Sequence, residues 1–184
     1  MECVDAIKYN KQITLMKDYL YKQSLRDYLF FVMGINTGIR INEMLQIKVK
    51  EVLEENGHIK EYYNSGPEDQ FIYLNKNVQL AIIAYIKAEN LKHEDFLFKS
   101  RKSNMPISRQ QAYRIINNSA NEVGITGKIG THTLRKTYGY HAYKKGIAIS
   151  LLQRVFNHKT PAETYRYIGI DKNEIRKLKI DVNL

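Results

Sequence analysis

Apolar residues along this chain recur mostly at helical intervals, and the pattern predicts a series of amphipathic helices interrupted once by strand-like sequence. Residues 11–22 place Ile13, Met16, Leu20 and Tyr21 at helical spacing. Ser24 is a candidate cap for a second helix, whose inward stripe is Leu25, Tyr28, Leu29, Val32 and Met33. Gly34 and Gly38 bracket a short stretch that ends this helix and turns the chain. A helical period resumes with Ile41, Met44, Leu45 and Ile47, and puts Arg40 and Glu43 on one side of a turn.

Between residues 49 and 75 the pattern changes. Val49, Val52, Ile59, Tyr62, Phe71 and Tyr73 read as strand positions, separated by two turn-like clusters, and predict a small antiparallel sheet. A helix follows, with Asn77 as candidate N-cap. Segment 99–105 is polar and basic, as an exposed loop would be. Ser108 and Gln111 have capping-box spacing for a helix that stops by Gly124. Further helices are expected from about 132 toward Gly146, over "ISLLQRVFNH", and over 161–168 with Gly169 as its stop. Asp171 and Glu174 have capping-box spacing for a last basic helix. The fold class is therefore mainly α with one small antiparallel β-sheet, in a single domain spanning 1–184.

Composition narrows the function. Lys and Arg number 29 against 19 Asp and Glu, a formal net charge of +10 that attracts polyanions. The single cysteine, Cys3, excludes an internal disulfide framework and a thiolate zinc cluster. His132, His141 and His158 lack acidic or cysteine partners at ligand spacing, so no metal site is expected. There is no apolar run long enough to span a bilayer and no signal-peptide pattern, which points to a cytoplasmic protein with no membrane partner.

The chemistry-bearing residues concentrate in "GTHTLRKTYGYHAYKKG" and "FNHKTPAETYRYIG". Phosphoryl transfer needs cationic donors around nonbridging oxygens, an in-line nucleophile and a route for protons. Arginine grips two oxygens with one planar fork, tyrosine can attack phosphorus, and histidine handles protons near neutral pH. His132 and Arg135 are adjacent on a helical turn. Tyr165 and Tyr167 face different ways, and spacing alone does not choose between them; most of the fourteen tyrosines serve packing.

Three ordered motifs resemble the catalytic domain of the tyrosine recombinase, or phage integrase, family over roughly residues 24–168. "NTGIRINEMLQI" resembles its first arginine box, which implies that Arg40 grips phosphate and Glu43 braces the site. "THTLRKTYGYH" resembles its His-x-x-Arg box, and implies a proton-handling His132 and a second clamp, Arg135. "FNHKTPAETYRY" resembles the nucleophile segment: His158 would contact the scissile phosphate, and Tyr167, nine residues on, would attack it. The wording around Arg135 is similar to short integrase-like proteins of Gram-positive bacteria and their prophages. The resemblance implies site-specific cleavage and rejoining of duplex DNA through a 3′-phosphotyrosyl link, without cofactor or metal. It also implies a tetrameric synapse, with exchange of terminal helices such as 172–184 between subunits.

Two departures are visible. Family members carry an active-site lysine on a β-hairpin turn, whereas "YYNSGPEDQFIYLN" offers Asn64 or Ser65 there, with Glu68 and Asp69 beside them. Neither side chain supplies a cationic acid, and Lys60 is the nearest substitute. Only about 23 residues precede the matching region, so a separate amino-terminal domain is expected to be absent, leaving a role for an accessory DNA-binding protein. Both departures favour an alternative, a weakly active or inactive DNA-binding regulator on the same fold. A basic RNA-binding domain is a third class, but leaves the three motifs unexplained. Lys99, Arg101, Lys102, Arg109, Lys128, Lys136, Lys144 and Lys145 are candidate DNA contacts outside the chemical set.

Overall fold

A computed structural model describes residues 4–66 and 71–171. The elements follow in the order α1 (Asn10–Gln23), α2 (Leu25–Thr37), α3 (Ile41–Gln46), α4 (Val49–Val52), β1 (Tyr62–Asn64), β2 (Phe71–Tyr73), α5 (Lys76–Glu89), α6 (Arg109–Glu122), α7 (Thr131–Lys144), α8 (Ile149–Phe156) and α9 (Pro161–Ile168). The expected mainly helical domain with one small antiparallel sheet is what the chain forms. The expected basic helix after Asp171 lies outside the described residues, as do Cys3, Glu68 and Asp69. No helix among the described residues is long and apolar enough to cross a membrane.

Helix α2 is the axis of the fold. Its run from Leu29 to Gly34 is buried on every side, and it packs against α1, α5 and α7. A run that is apolar all round suits a core helix, and Phe30 and Phe31, outside the expected stripe, are buried with it. Ser24 caps it by accepting from Asp27 N, and Gly38 ends it at φ 65, a left-handed conformation that glycine adopts without strain. Gly34 does not end the helix: it lies inside, where Leu134 of α7 packs onto its bare Cα. Tyr21, expected on the inward stripe of α1, is instead 57% exposed and meets Tyr28 edge-on.

The middle of the chain departs most from expectation. Val49 and Val52 are not strand residues but two buried positions three apart on α4, whose start is closed by Glu51 accepting from Lys48 N at 2.6 Å. The sheet is only two strands, paired Tyr62 with Tyr73, Tyr63 with Ile72, and Asn64 with Phe71, preceded by an isolated Leu53–Ile59 bridge. In so short a hairpin only one face is covered. Tyr63 turns inward, while Tyr62, Phe71 and Tyr73 face out. The cap of α5 is Asn75 rather than Asn77, and its amide also donates to Asn36 Oδ1 at 2.8 Å, tying the start of α5 to α2.

The carboxy-terminal part has its own small core of Leu152, Phe156, Ile168 and Ile170. The main core extends from Ile7 to Leu134 and lies on the other side of α7. Gly139 allows α8 and α9 to approach α7 this closely, since a Cβ there would stand 2.6 Å from both Phe156 and Ile168. Gly139→Ala should therefore lower unfolding free energy by about 1–3 kcal/mol through overpacking. Urea denaturation checks it, and an unchanged midpoint would contradict the contact.

Candidate active site

A cleft of about 250 Å³ opens where α3, α7, α8 and α9 meet, lined among others by Arg40, Arg109, His132, Arg135, His158 and Tyr167. Five of the six candidate catalytic residues from the three motifs thus share one cavity. The sixth, Glu43, lies behind it, in a larger recess that also borders Arg40 and Arg135.

Each side chain is delivered by a local feature of the sequence. Arg40 stands at the N-cap of α3, two residues after the Gly38 turn. His132 and Arg135 occupy the first turns of α7, whose entry is closed by Gly130 N donating to Thr133 Oγ1 at 3.1 Å. Arg135 is fixed by an Nη2 bond to Val155 O at 2.9 Å and by the Phe156 ring, 5.0 Å from its guanidinium carbon. Helix α8 ends at Asn157 in the left-handed conformation, and the reversed chain aims His158 at the cleft. The Nδ1 of His158 lies 3.1 Å from Thr164 Oγ1 on α9.

Thr160 caps α9 by accepting from Glu163 N, Pro161 begins it and Gly169 ends it. On this short helix the two tyrosines that spacing did not distinguish meet different surroundings. Tyr167 enters the cleft, with its ring 5.0 Å from His158 and 5.1 Å from Phe156, while Tyr165 turns toward Tyr143. Phe156 touches Arg135, His158 and Tyr167 together, and was missed in the motif reading. Its only signal was its place at the end of the strongly amphipathic α8.

The charges have identifiable consequences. Burial pushes the Tyr167 phenol above its ordinary pKa, while Arg135 and then Arg40 pull it back. Burial lowers the pKa of His132, helped by Arg109, Lys136 and Arg135. Burial also lowers His158, with Glu163 opposing and Arg135 reinforcing the shift. The Glu43 carboxyl is raised by burial against the lowering influence of a Ser65 hydrogen bond, Arg40 and Arg135, and its Oε1 is buried with no hydrogen-bond partner.

Other candidates lie elsewhere. Lys60 is not brought to the cleft; its ammonium donates to Lys50 O at 3.1 Å, on the outer side of the hairpin. Asn64 Oδ1 accepts from Gly66 N, and Ser65 reaches Glu43. Lys99 pairs with Asp95 at 2.7 Å, whereas Arg101, Lys102, Lys128, Lys144 and Lys145 are exposed. Arg109, expected as a peripheral contact, is at the cleft itself. Lys136 is half-buried, donating to Val4 O at 2.8 Å with its ammonium 5.3 Å from the Tyr167 ring centre.

The sequence pattern of the Phage integrase family matches residues 7–174. The chain is 39% identical over 176 residues to the probable integrase/recombinase YoeC of Bacillus subtilis (strain 168), covering 96% of this chain and 95% of that protein. Its fold resembles the crystal structure of XerA recombinase at TM-score 0.77 and 18% identity, over 96% of this chain and 62% of that one. It also resembles XerH site-specific recombinase bound to palindromic difH substrate in a post-cleavage complex, at TM-score 0.69 and 21% identity, over 91% and 50%. The chain thus spans nearly all of YoeC but only half to three-fifths of those two recombinases.

A histidine whose folded pKa lies below its unfolded value of about 6.5 binds more protons when unfolded, so acid favours unfolding. The stability associated with neutral His132 and His158 is complete above that pH and declines as pH falls toward their depressed folded values. Imidazole titration by NMR should place both midpoints below about 6.5. A midpoint at or above that value for either ring would contradict the packing around it.

Proposed function

The chain belongs to the phage integrase family, and from that premise we propose that it cleaves and rejoins duplex DNA with Tyr167 as nucleophile. The observation that carries this reading is the convergence of Arg40, His132, Arg135, His158 and Tyr167 on one cleft. Similarity to YoeC over both chains' lengths supports it.

In this reading the scissile phosphate sits between the two arginines, whose forks neutralise its nonbridging oxygens as charge grows in the transition state. The Tyr167 oxygen attacks phosphorus in line. The bond from phosphorus to the tyrosine oxygen forms as the bond to the 5′-oxygen breaks, leaving a 3′-phosphotyrosyl link and a 5′-hydroxyl. Attack by the 5′-hydroxyl of a second strand reverses the exchange, so the phosphodiester energy is retained.

The phenol must lose its proton, and the neutral histidines beside it are suitable acceptors. If the Thr164 hydroxyl hydrogen points to Thr160 O, 3.4 Å away, then His158 Nδ1–H donates to Thr164 Oγ1. That tautomer leaves Nε2 of His158 as a proton acceptor or as a ligand for phosphate-bound hydrogen. Glu43, buried behind both arginines, holds their charges in register, and Ser65 ties the hairpin to it. Arg109 extends the cationic edge beside His132, and the exposed Arg101, Lys102, Lys128, Lys144 and Lys145 supply positive charge for DNA phosphates. A synapse of several copies and an accessory DNA-binding protein fit the same chemistry.

Hairpin residues 62–73 include no lysine or arginine, so the leaving 5′-oxygen takes its proton from water, slowly. This affects the rate and leaves the route unchanged. A nicked suicide substrate carrying a native site should trap a covalent adduct with the wild type and Tyr165→Phe, and none with Tyr167→Phe. Arg135→Ala should slow trapping by roughly 10²–10³. Specific binding with no wild-type adduct would replace this reading by that of a DNA-binding regulator.

The leaving-group argument has its own check. Asn64→Lys should raise cleavage of ordinary DNA by about tenfold or more. It should leave unchanged the cleavage of DNA with a 5′-bridging sulfur, because a thiolate departs without a proton. Equal acceleration of both substrates would refute it.

A further inference from the structure

Residues 4–8 make no helix or strand, yet they are among the most thoroughly engaged in the fold. They run along α7, where Asp5 N donates to Lys128 O at 2.7 Å, and Asp5 Oδ2 accepts from Lys128 N at 3.3 Å. Ile7 is 1% exposed, and its N–H donates to the buried Thr137 Oγ1 at 2.9 Å. The Ile7 carbonyl lies 2.9 Å from His141 Nε2; a carbonyl can only accept, so this nitrogen carries the hydrogen. Thr137 and His141 lie on α7 beyond Arg135, so the segment grips the helix that carries the His-x-x-Arg pair.

The same segment reaches the tyrosine helix at two points. Lys136 Nζ donates to Val4 O at 2.8 Å while lying 5.3 Å from the centre of the Tyr167 ring. Lys8 Nζ donates to Gly169 O at 2.7 Å and also lies 5.2 Å over the Tyr140 ring of α7. Gly169 is the left-handed cap that ends α9, two residues beyond Tyr167. The last carbonyls of a helix have no partners within it, and an ammonium there is favoured by the helix dipole.

Helix α9 has only eight residues, too few to be stable by itself. Among the described residues it packs against α7 and α8, with Thr164 and Ile168 its buried residues. We propose that residues 4–8 are a positioning strap for the nucleophile, with Lys8 holding the end of α9 and Val4 holding Lys136 against the Tyr167 ring. The strap fixes the tyrosine helix to the arginine helix, so that attack geometry is set before DNA binds. An in-line reaction is sensitive to this, since a displacement near 1 Å costs roughly 10² in rate.

The proposal rests on the assignment of Tyr167 for its kinetic consequence, but its structural consequence can be measured without DNA. Lys8 is exposed, so Lys8→Met and Lys8→Arg are expected to fold. In Lys8→Met, amide hydrogen exchange across residues 164–170 should accelerate while exchange in α2 and the melting temperature stay as in the wild type. Trapping on suicide DNA should slow by about tenfold, with noncovalent binding unchanged, and Lys8→Arg should restore both. Unchanged exchange in α9, a loss confined to noncovalent binding, or faster exchange with an unaltered trapping rate would each overturn the strap. If the wild type traps no DNA, the proposed reaction fails, and the exchange comparison alone decides whether the strap exists.

Discussion

Arg135 carries its charge into a place where burial works against it, and most of the carboxy-terminal architecture follows from holding it there. Desolvation is the largest influence on this guanidinium, Arg40 repels it, and Tyr167, Glu43 and Tyr138 favour its charge. Among the described residues one of its donors is fixed by protein, to Val155 O, and one face rests on Phe156. Among the described residues, Glu43 is a half-buried carboxyl that acts on both arginines. In the proposed reaction a DNA phosphate would take up the guanidinium donors of the cleft.

Helix α7 makes this compatible with a stable fold because it belongs to both cores. Leu134 packs inward against Gly34 of α2, while Gly139 opens the opposite side to Phe156 and Ile168. The helix that carries Arg135 is rooted in the larger core, while its guanidinium rests on Phe156 of the smaller core, which also packs against Tyr167. Movement of α7 relative to the smaller core would change the spacing of Arg135 and Tyr167. The residues that span the two cores, Tyr138 beside Phe156 and Lys8 against Gly169, consequently have leverage on chemistry that their own reactivity would not suggest.

Much of this was legible in the sequence where local rules dominate. The caps at Ser24, Ser108 and Gly169 fell where short-range hydrogen bonding and glycine conformation put them. The motif residues converge because three short segments each carry their own turn beside the reactive group: Gly38 before Arg40, Asn157 before His158, Thr160–Pro161 before Tyr167. Legibility failed where tertiary contact decided. Val49 and Val52 have strand propensity, yet burial of both on one helical turn outweighed it. Gly34 resembled a breaker because the sequence does not display Leu134 against it. Phe156 opens the nucleophile segment without a role assigned to it there, and residues 4–8 lie outside the three motifs; their importance comes from contacts separated by up to 161 positions.

The long-range contacts also change how the basic composition is read. A net charge of +10 describes a far field, but individual lysines differ in what they are free to do. Lys99 neutralises Asp95, Lys60 holds a backbone carbonyl, and Lys8 and Lys136 are enlisted in internal geometry. The exposed candidates Arg101, Lys102, Lys128 and Lys145 act through the solvent field, where salt screens them, while Lys144 lies 5.7 Å over the Tyr140 ring. Affinity and chemistry therefore respond to different parts of the same charge. Salt screens the outer groups more strongly than the half-buried Arg135.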